Sequence, residues 1–249
     1  MKGLIALGAL LLAVGMPAAA AVELEEIHQQ FKAAQVKGLD FGTISCDAEI
    51  AASKDEAASV DITGSDKDAY TWEASLQGSK LVVKQRSKRT FAKGFDSHCR
   101  ASVKLPGGLP VKADSVSGQL RISGGFADVD AHSVSGDIRL EAAHGDAKVN
   151  TVSGSAKLQD LTGDLDFNSV SGGLDARWSK LPPKGKARIK TVSGDSVLRL
   201  PEGQKISVSL KSISGELQND LPTDPAAGFV VKADAVSGSL AVLKAEARR

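Results

Sequence analysis

Apolar and polar residues alternate along the C-terminal half of the chain in short arms that repeat at a nearly fixed distance. Within each arm the apolar residues occupy every second position, which is the pattern of a β-strand with one buried face. The phrase Val-Ser-Gly, once Ile-Ser-Gly, separates the arms in seven copies. The copies end at Gly118, Gly136, Gly154, Gly172, Gly194, Gly215 and Gly238. Steps of 18 to 23 residues between these glycines predict a stacked repeat, in which each unit buries its apolar face only against its neighbours.

We interpret the phrase as a corner between two strands. The residues two places before the glycines are Val116, Val134, Val152, Val170, Val192, Ile213 and Val236. The alternation slips by one position between the upstream arm and this aliphatic residue, so we expect a bend there with the aliphatic side chain in the core. Glycine suits the turn that follows, because it adopts a positive φ without steric cost.

Hydroxyl residues flank the aliphatic residue on both sides, as Ser133 and Ser135 do around Val134. We expect their hydroxyl groups to cap the turns and to form hydrogen bonds between rungs. The alternative is that they point outward as two parallel rows of hydroxyl groups, which would suit an extended polysaccharide or ice.

A column of charged residues stands six positions before the first five glycines. Its members are Lys112, Asp130, Lys148, Asp166 and Arg188. The signs alternate from unit to unit, and opposite charges pair when strands stack directly on one another. The column therefore indicates that the rungs stack in register.

Residues 22–110 lack the phrase but remain strand-like. Period-two segments separated by Gly, Asp or Lys clusters predict strands at 41–50, 59–63, 70–77, 81–85 and 101–105. Residues 24–33 fit a strand or a helical face, and we favour a strand or an irregular start. A cap is required at this end, because the first rung would otherwise expose an apolar surface and an open edge.

The first residues are typical of a secretory signal peptide. Met1 and Lys2 precede an apolar run at 4–14 and a small-residue segment at 17–21, and the run is too short to span a bilayer. We divide the chain into a signal peptide (1–21), a β-rich region that caps and starts the solenoid (22–110), and the repeat solenoid (111–249). The mature chain is expected to be periplasmic or secreted, with no transmembrane segment and no lipid-anchoring cysteine.

The chain has two cysteines, Cys46 and Cys99. In an oxidising compartment one disulfide between them is the economical interpretation. Two separate buried thiols are the alternative. The spacings that metal or redox sites require are absent.

The charges of the chain nearly cancel, with 31 basic and 30 acidic residues, so no global field favours nucleic acid or acidic membranes. A basic cluster at 84–89 lies near Trp72 and Phe91 in the sequence. Considered without the rest of the chain, it would suggest a nucleic-acid patch. The signal peptide argues against nucleic acid as a partner. A solvated loop that contacts anionic envelope polymers is the milder interpretation.

Arg121, Arg139 and Lys157 each stand three residues after a repeat glycine and form a basic stripe across three rungs. Lys/Arg and Asp sets of this kind also occur in parallel β-helix enzymes that act on acidic polysaccharides. The spacing singles out no pair of carboxylates. His132 shares a column with Asn150 and Asn168, which indicates a polar ladder and not a catalytic base. We assign no catalytic, cofactor-binding or metal-ligating residue.

The segment 104–118, Lys-Leu-Pro-Gly-Gly-Leu-Pro-Val-Lys-Ala-Asp-Ser-Val-Ser-Gly, resembles the entry into the repeat of a bacterial family. This is the putative-adhesin family of β-strand repeat proteins, a domain of unknown function. A degenerate second copy lies at 200–215, and the resemblance covers about residues 40–245. It implies an all-β, right-handed parallel β-helix on exported or envelope-associated proteins, without established catalytic residues.

Pattern and resemblance together predict an all-β solenoid of about seven C-terminal rungs with a β-rich N-terminal cap. We expect an exported, non-enzymatic structural or adhesin-like binding module. Its partner would be an envelope polysaccharide or another envelope protein, with no cofactor. The alternatives are a lyase- or hydrolase-type enzyme that acts on polysaccharide, and a hydroxyl lattice that binds glycan or ice.

Overall fold

A computed structural model of the chain describes residues 24–55, 57–88 and 99–245. The predicted signal peptide at 1–21, Arg89 at the end of the basic cluster, and Phe91 lie outside these residues. Twenty-one strands and a single-turn 3-10 helix at Ala33–Gln35 make up the regular structure of the described part. In that part, no helix has the length and apolarity needed to cross a membrane.

Seven strands precede the repeats. They are β1 (Leu24–Lys32), β2 (Gly38–Thr43), β3 (Asp47–Ser53), β4 (Ala57–Asp66), β5 (Tyr70–Gln77), β6 (Lys80–Ser87) and β7 (Arg100–Pro106). The strands predicted at 59–63, 70–77, 81–85 and 101–105 are present. The segment 41–50, predicted as one strand, is two strands with a corner at 44–46.

Fourteen strands follow, two for each copy of the phrase. They are β8 (Val111–Ser115), β9 (Leu120–Ser123), β10 (Val129–Ser133), β11 (Ile138–Glu141), β12 (Ala147–Thr151), β13 (Ala156–Leu161), β14 (Leu165–Ser171), β15 (Leu174–Trp178), β16 (Gly185–Ser193), β17 (Ser196–Leu200), β18 (Ile206–Ser214), β19 (Leu217–Asn219), β20 (Phe229–Ser237) and β21 (Leu240–Lys244).

Each rung gives one strand to each of two sheets. The ten-stranded sheet has the order β5-β6-β2-β8-β10-β12-β14-β16-β20-β18, and the eleven-stranded sheet has the order β1-β4-β7-β3-β9-β11-β13-β15-β17-β21-β19. The repeat strands pair in parallel and in register, so that Val129 of β10 lies between Val111 of β8 and Ala147 of β12. This arrangement confirms the predicted all-β solenoid.

The core lies between the two sheets and consists of stacked columns. Ala113, Ala131 and Val149 form one column, and Leu120, Ile138 and Ala156 face it from the other sheet. Most columns hold Val, Ile, Leu or Ala, and Phe167 and Trp178 are among the few large buried side chains. Small aliphatic residues suit this core, because the two sheets lie about 10 Å apart and successive rungs are only about 4.8 Å apart.

An eighth corner precedes the seven copies found by pattern. Thr43-Ile44-Ser45-Cys46 joins β2 to β3, and these strands pair in register with β8 and β9. The backbone N–H of Cys46 donates to Thr43 Oγ1 (3.0 Å), as the N–H of Gly118 donates to Ser115 Oγ (3.0 Å). Cysteine in the glycine position hid this copy from a search for Val-Ser-Gly.

Gln85 of β6 closes the corner ladder at its N-terminal end. Its side-chain oxygen accepts hydrogen bonds from the backbone N–H groups of Ile44 (2.7 Å) and Ser45 (3.2 Å). One rung further on, the N–H groups of Val116 and Ser117 donate to the carbonyls of Thr43 and Ile44. Gln85 therefore replaces the carbonyls of a missing rung, which satisfies donors that would otherwise be buried without a partner.

The last two repeats do not stack in chain order. Strands β20 and β21 insert between the rung of β16 and β17 and the rung of β18 and β19. The ring of Phe229 in β20 packs edge-on against Trp178 at a centroid distance of 5.7 Å. The sixth copy of the phrase, which ends at Gly215, therefore lies at the end of the solenoid.

Candidate binding surface

The side chains at the corner are oriented opposite to the prediction, with the aliphatic residue outside and the preceding residue inside. The six valines of the phrase, from Val116 to Val236, are 43% to 50% exposed, and Ile213 is 86% exposed. The residues just before the first five valines are instead buried, at 4% to 8% exposure, and Ser212 and Ala235 at the last two rungs are half-buried. These buried residues are Ser115, Ser133, Thr151, Ser169 and Thr191. The prediction that the valines fill the core is wrong.

The physical reason is that the alternation of the upstream arm does not slip. In β10 the inward residues are Val129, Ala131 and then Ser133, so Val134 points outward. The buried hydroxyl has a defined role, since Ser133 Oγ accepts the backbone N–H of Gly136 at 2.9 Å. A valine in its place would leave that N–H group without a partner, at a cost of about 1–3 kcal/mol that offsets the gain from burying an apolar side chain.

Glycine is required at the corner because of close stacking. A Cβ atom on Gly172 would overlap the carbonyl oxygen of Gly154 one rung below, and a Cβ on Gly136 would overlap that of Gly118. Of the seven repeat glycines, only Gly194 has a positive φ, of 140°. The positive-φ explanation therefore does not hold for the other six.

The hydroxyl groups that follow the valines bond within the scaffold. Ser117 Oγ donates to the carbonyl of Ile44 (3.0 Å), and Ser135 Oγ donates to that of Val116 (3.0 Å). Ser153 continues the series to Val134 at 3.2 Å. These contacts are the hydrogen bonds between rungs that we expected, and they engage the groups that an outward hydroxyl lattice would use.

The outward aliphatic residues form a continuous line, which we call the apolar ridge. In stacking order it consists of Ile44, Val116, Val134, Val152, Val170, Val192, Val236 and Ile213. At about 4.8 Å per rung the ridge is roughly 34 Å long. It is one residue wide.

The polar column at His132 is a ladder. His132 Nε2 lies 2.8 Å from Asp130 Oδ1, and Nδ1 lies 3.1 Å from the side-chain nitrogen of Asn150. Asn168 donates in turn to Asn150 Oδ1 at 3.0 Å. One ring nitrogen of His132 thus contacts Asp130 of its own strand, and the other contacts Asn150 of the next rung. The ladder prediction is confirmed, and this histidine is not presented as a base.

Carboxylates at the opposite corner also serve the stack. Asp128 Oδ1 accepts the backbone N–H of Asp146 (3.0 Å), and Asp146 Oδ1 accepts that of Asp164 (3.0 Å). Asp164 Oδ1 accepts the backbone N–H of Lys186 at 2.9 Å. Each of these three aspartates therefore caps the next rung.

The alternating charge column of the ten-stranded sheet is present in register. Asp130 lies between Lys112 and Lys148, and Asp166 lies between Lys148 and Arg188. Lys148 Nζ is 3.8 Å from Asp130 Oδ2, and Arg188 is 3.8 Å from Asp166. Exposed pairs at this distance contribute less than about 1 kcal/mol each, so the column serves register more than stability.

Arg121, Arg139 and Lys157 stack directly on one another in the eleven-stranded sheet, and we call them the cation strip. All three side chains are exposed, and within the described residues none has a carboxylate oxygen within 4.0 Å. Glu49 precedes the strip in the same column and Asp175 follows it. The strip is therefore a three-rung block of like charge bounded by carboxylates.

Two further carboxylates lie beside the cation strip on the same rungs. Asp137 accepts the backbone N–H of Ser155 at 2.9 Å, so this oxygen is used by the scaffold. Glu141 is exposed on the column beyond. The contrast with the alternating column is clear, because there the chain places opposite charges on successive rungs.

The described part of the basic cluster is tied to local partners. Lys84 Nζ lies 2.7 Å from Asp40 and 3.6 Å from Asp114, and Arg86 lies 3.2 Å from Glu73. Lys88 Nζ donates to the backbone carbonyl of Lys67 at 2.6 Å. These cations stabilise the cap through local contacts. In this respect they differ from the cations of the strip, which have no such partners among the described residues.

Comparison with solved structures finds two putative adhesins that are similar to this chain. A putative adhesin from Bacteroides fragilis superposes with a TM-score of 0.53 at 13% identity, covering 88% of this chain and 97% of that one. A putative adhesin from Parabacteroides distasonis gives a TM-score of 0.45 at 10% identity, with coverage of 88% and 97%. No curated protein matches the chain. The first similarity supports the fold alone.

The family follows from the repeat itself. The model of the Toastrack DUF4097 family matches residues 110–239, which span the corners from Gly118 to Gly238 and most of the paired repeat strands. That match covers more than half of the chain. The chain therefore belongs to the Toastrack DUF4097 family, as the resemblance at 104–118 predicted.

Proposed function

We propose that this chain is an exported, non-enzymatic binding module of the cell envelope that holds an acidic polysaccharide along the cation strip. The observation that carries the proposal is the stacking of Arg121, Arg139 and Lys157 without a carboxylate partner within 4.0 Å among the described residues. An extended polymer that lies along the solenoid axis would meet one cation at each rung.

The cation strip is costly for the free protein. The rungs are about 4.8 Å apart, and unit charges held at that spacing would repel by about 0.9 kcal/mol in bulk water. The alternating column on the other sheet shows that the chain avoids this repulsion elsewhere. An anionic ligand would relieve the repulsion, so binding and the unusual stacking have one explanation.

Other features support export and binding in place of catalysis. The sequence of residues 1–21 is typical of a signal peptide, and the Cys46–Cys99 disulfide suits an oxidising compartment. The aspartates that could act as acid and base hold backbone N–H groups of the next rung. The solved relative from Bacteroides fragilis is named a putative adhesin, which agrees with a binding role.

The proposal predicts a selective loss of polyanion binding. Changing Arg121, Arg139 and Lys157 together to Gln should weaken the affinity for polygalacturonate at least about tenfold, since three charge contacts of about 0.5–1 kcal/mol are removed. Isothermal titration of the purified protein would measure the affinity, with neutral dextran as the negative ligand. Binding of the unchanged protein should weaken as salt rises, because exposed charges are screened.

A second triple variant provides a matched control. Changing Lys112, Lys148 and Arg188 to Gln removes the same net charge from the other sheet, where the cations alternate with carboxylates. Its affinity should stay within about twofold of the unchanged protein. Equal losses in the two triple variants, or no binding of polygalacturonate by the unchanged protein, would contradict the proposal.

A further inference from the structure

A cleft lies beside the cation strip, on the side of the strip that faces the glycine corner. Its volume is about 360 Å³, at the small end of the range for sites that hold a small ligand. The lining side chains belong to two columns, the cation strip and the residues that directly follow the repeat glycines. Among the lining residues are Asp137, Arg139, Ser155, Lys157, Gly173 and Asp195.

The width and length of the cleft follow from strand geometry. Asp137 and Arg139 are two positions apart with buried Ile138 between them, so their outward side chains begin about 6.6 Å apart. Asp137 and Asp195 are three rungs apart, which is about 14 Å along the solenoid axis. The cleft therefore has cations along one side and a carboxylate at each end.

Gly173 keeps the floor of the cleft open, although the stack does not require a glycine there. Among the described residues, a Cβ atom on Gly173 would meet only the carbonyl oxygen of Asp195, at 3.4 Å, and Gly173 is not among the glycines with a positive φ. A glycine in a strand-like segment loses more conformational freedom on folding than other residues, which destabilises the folded state. An occupant of the cleft would explain why this position has no side chain.

Each carboxylate at the ends of the cleft uses one oxygen for the stack. Asp137 Oδ1 accepts the backbone N–H of Ser155, and Asp195 Oδ1 accepts that of Ser239, both at 2.9 Å. Within the described part of the chain, the Oδ2 atoms of these two aspartates form no hydrogen bond or ion pair. Because the other oxygen is held by the next rung, each Oδ2 atom is a hydrogen-bond acceptor in a fixed position.

The mixture of charges in the cleft disfavours a ligand that carries anionic groups alone. Arg139 and Lys157 attract such a ligand, but Asp137 and Asp195 repel it. A hydroxyl group beside the anionic group changes this balance, since a hydroxyl donates a hydrogen bond to a carboxylate. Uronic acids carry a carboxylate and hydroxyl groups on the same sugar ring, and they therefore match both kinds of group in the cleft.

We propose that the cleft selects polymers of uronic acids among acidic ligands. Sugar carboxylates bind Arg139 and Lys157, and ring hydroxyls of different units donate to the Oδ2 atoms of Asp137 and Asp195. This selection depends on the proposed function, in which an acidic polysaccharide lies along the cation strip. A polymer with carboxylates but no hydroxyls meets the same cations and gains nothing from the two aspartates.

Two oligomers of equal length test the selection, oligogalacturonate and oligoglutamate. Isothermal titration of the full chain should show at least about tenfold tighter binding of oligogalacturonate. In the double variant Asp137→Asn with Asp195→Asn, each side chain keeps an oxygen for the backbone N–H and loses the second acceptor. Its affinity for oligogalacturonate should fall at least about threefold, whereas its affinity for oligoglutamate should rise about twofold because repulsion is removed.

A second double variant removes the same charge at the opposite corner. Asp128 and Asp146 also use Oδ1 to accept a backbone N–H of the next rung, so Asp128→Asn with Asp146→Asn is the matched control. Its affinity for oligogalacturonate should stay within about twofold of the unchanged protein.

Filling the floor of the cleft gives an independent test. Gly173→Gln should weaken the binding of oligogalacturonate at least about threefold, and should leave the binding of oligoglutamate to the cation strip unchanged. The midpoint of thermal unfolding, measured in parallel, should stay close to that of the unchanged protein, since the added Cβ atom makes only an ordinary contact.

The outcomes separate this inference from the proposed function. If the unchanged protein binds neither oligomer, the proposed function is wrong and the selection is wrong with it. Equal affinity for the two oligomers, with both lost when the cation strip is changed to Gln, leaves the proposed function standing and overturns the selection alone. A shift of both affinities in the same direction in the Asp137 and Asp195 double variant also overturns the selection.

Discussion

Replacing Gly172 with alanine is expected to lower the free energy of unfolding by about 3 kcal/mol, the upper range for overpacking a rigid site. The added Cβ would overlap the carbonyl oxygen of Gly154 on the rung below. That carbonyl belongs to a backbone whose own neighbours are stacked in the same way, so the rungs cannot separate locally without loss of parallel hydrogen bonds. Chemical denaturation followed by the fluorescence of buried Trp178, six residues further along, would measure the effect.

The next residue provides the control. Like Gly172, Gly173 is not among the glycines with a positive φ. A Cβ on Gly173 would lie 3.4 Å from the carbonyl oxygen of Asp195, which is an ordinary contact. Gly173→Ala should change the free energy of unfolding by less than about 0.5 kcal/mol. Equal losses at Gly172 and Gly173 would show that the corner does not depend on close stacking of the glycine column.

Removal of the disulfide should have an effect of similar size. The Cys46–Cys99 bond spans a sequence separation of 53 residues, and both cysteines are buried. Closing a loop of that length stabilises the folded state by about 4 kcal/mol in the chain-entropy account. Changing both cysteines to alanine should therefore lower the midpoint of denaturation markedly, with most of the loss falling on the N-terminal cap and the first rung.

A reductant distinguishes the bond from the packing of the two side chains. Dithiothreitol should destabilise the unchanged protein by nearly the same amount as the double variant, and should leave the double variant unaffected. If the double variant is as stable as the oxidised protein, the bond does not hold the cap to the first rung.

The disulfide also explains why a cysteine replaces glycine at the eighth corner. In later rungs the glycine sits against the carbonyl of the glycine below, where a side chain has no room. Below Cys46 lies the start of β7 instead, with the N–H of Asp47 donating to the carbonyl of Cys99 at 3.1 Å. The side chain of Cys46 is bonded to the sulfur of Cys99. A side chain is therefore accepted at this position because Cys46 is the first residue of the glycine column.

Period-two alternation within each arm was enough to predict the strands, the two faces and the register of the stack. The alternating signs from Lys112 to Arg188 predicted the neighbours of each rung in the ten-stranded sheet correctly. These features depend on local spacing and on contacts between equivalent positions. Both are visible in a repeat that is aligned on its own copies.

The orientation of the corner was not predictable from hydrophobicity. Val134 is more apolar than Ser133, yet Ser133 is inside, because its hydroxyl accepts the N–H of Gly136 and the strand alternation runs on unbroken. The insertion of β20 and β21 before the last rung has no local signal either. Parallel strands of one column are interchangeable in pattern, so chain order alone does not determine their order in the sheet.

Thiol labelling at two adjacent corner positions tests most directly the central claim, that the corners from Gly118 to Gly194 turn a hydroxyl residue inward and a valine outward. In the unchanged protein Ser133 is 4% exposed and Val134 is 46% exposed, and the native cysteines are paired. Val134→Cys should react with a maleimide reagent as an exposed thiol does. Ser133→Cys should react at least about 100-fold more slowly until the protein is unfolded, because reaction requires local opening. Rapid labelling of Ser133→Cys with protection of Val134→Cys would contradict the account.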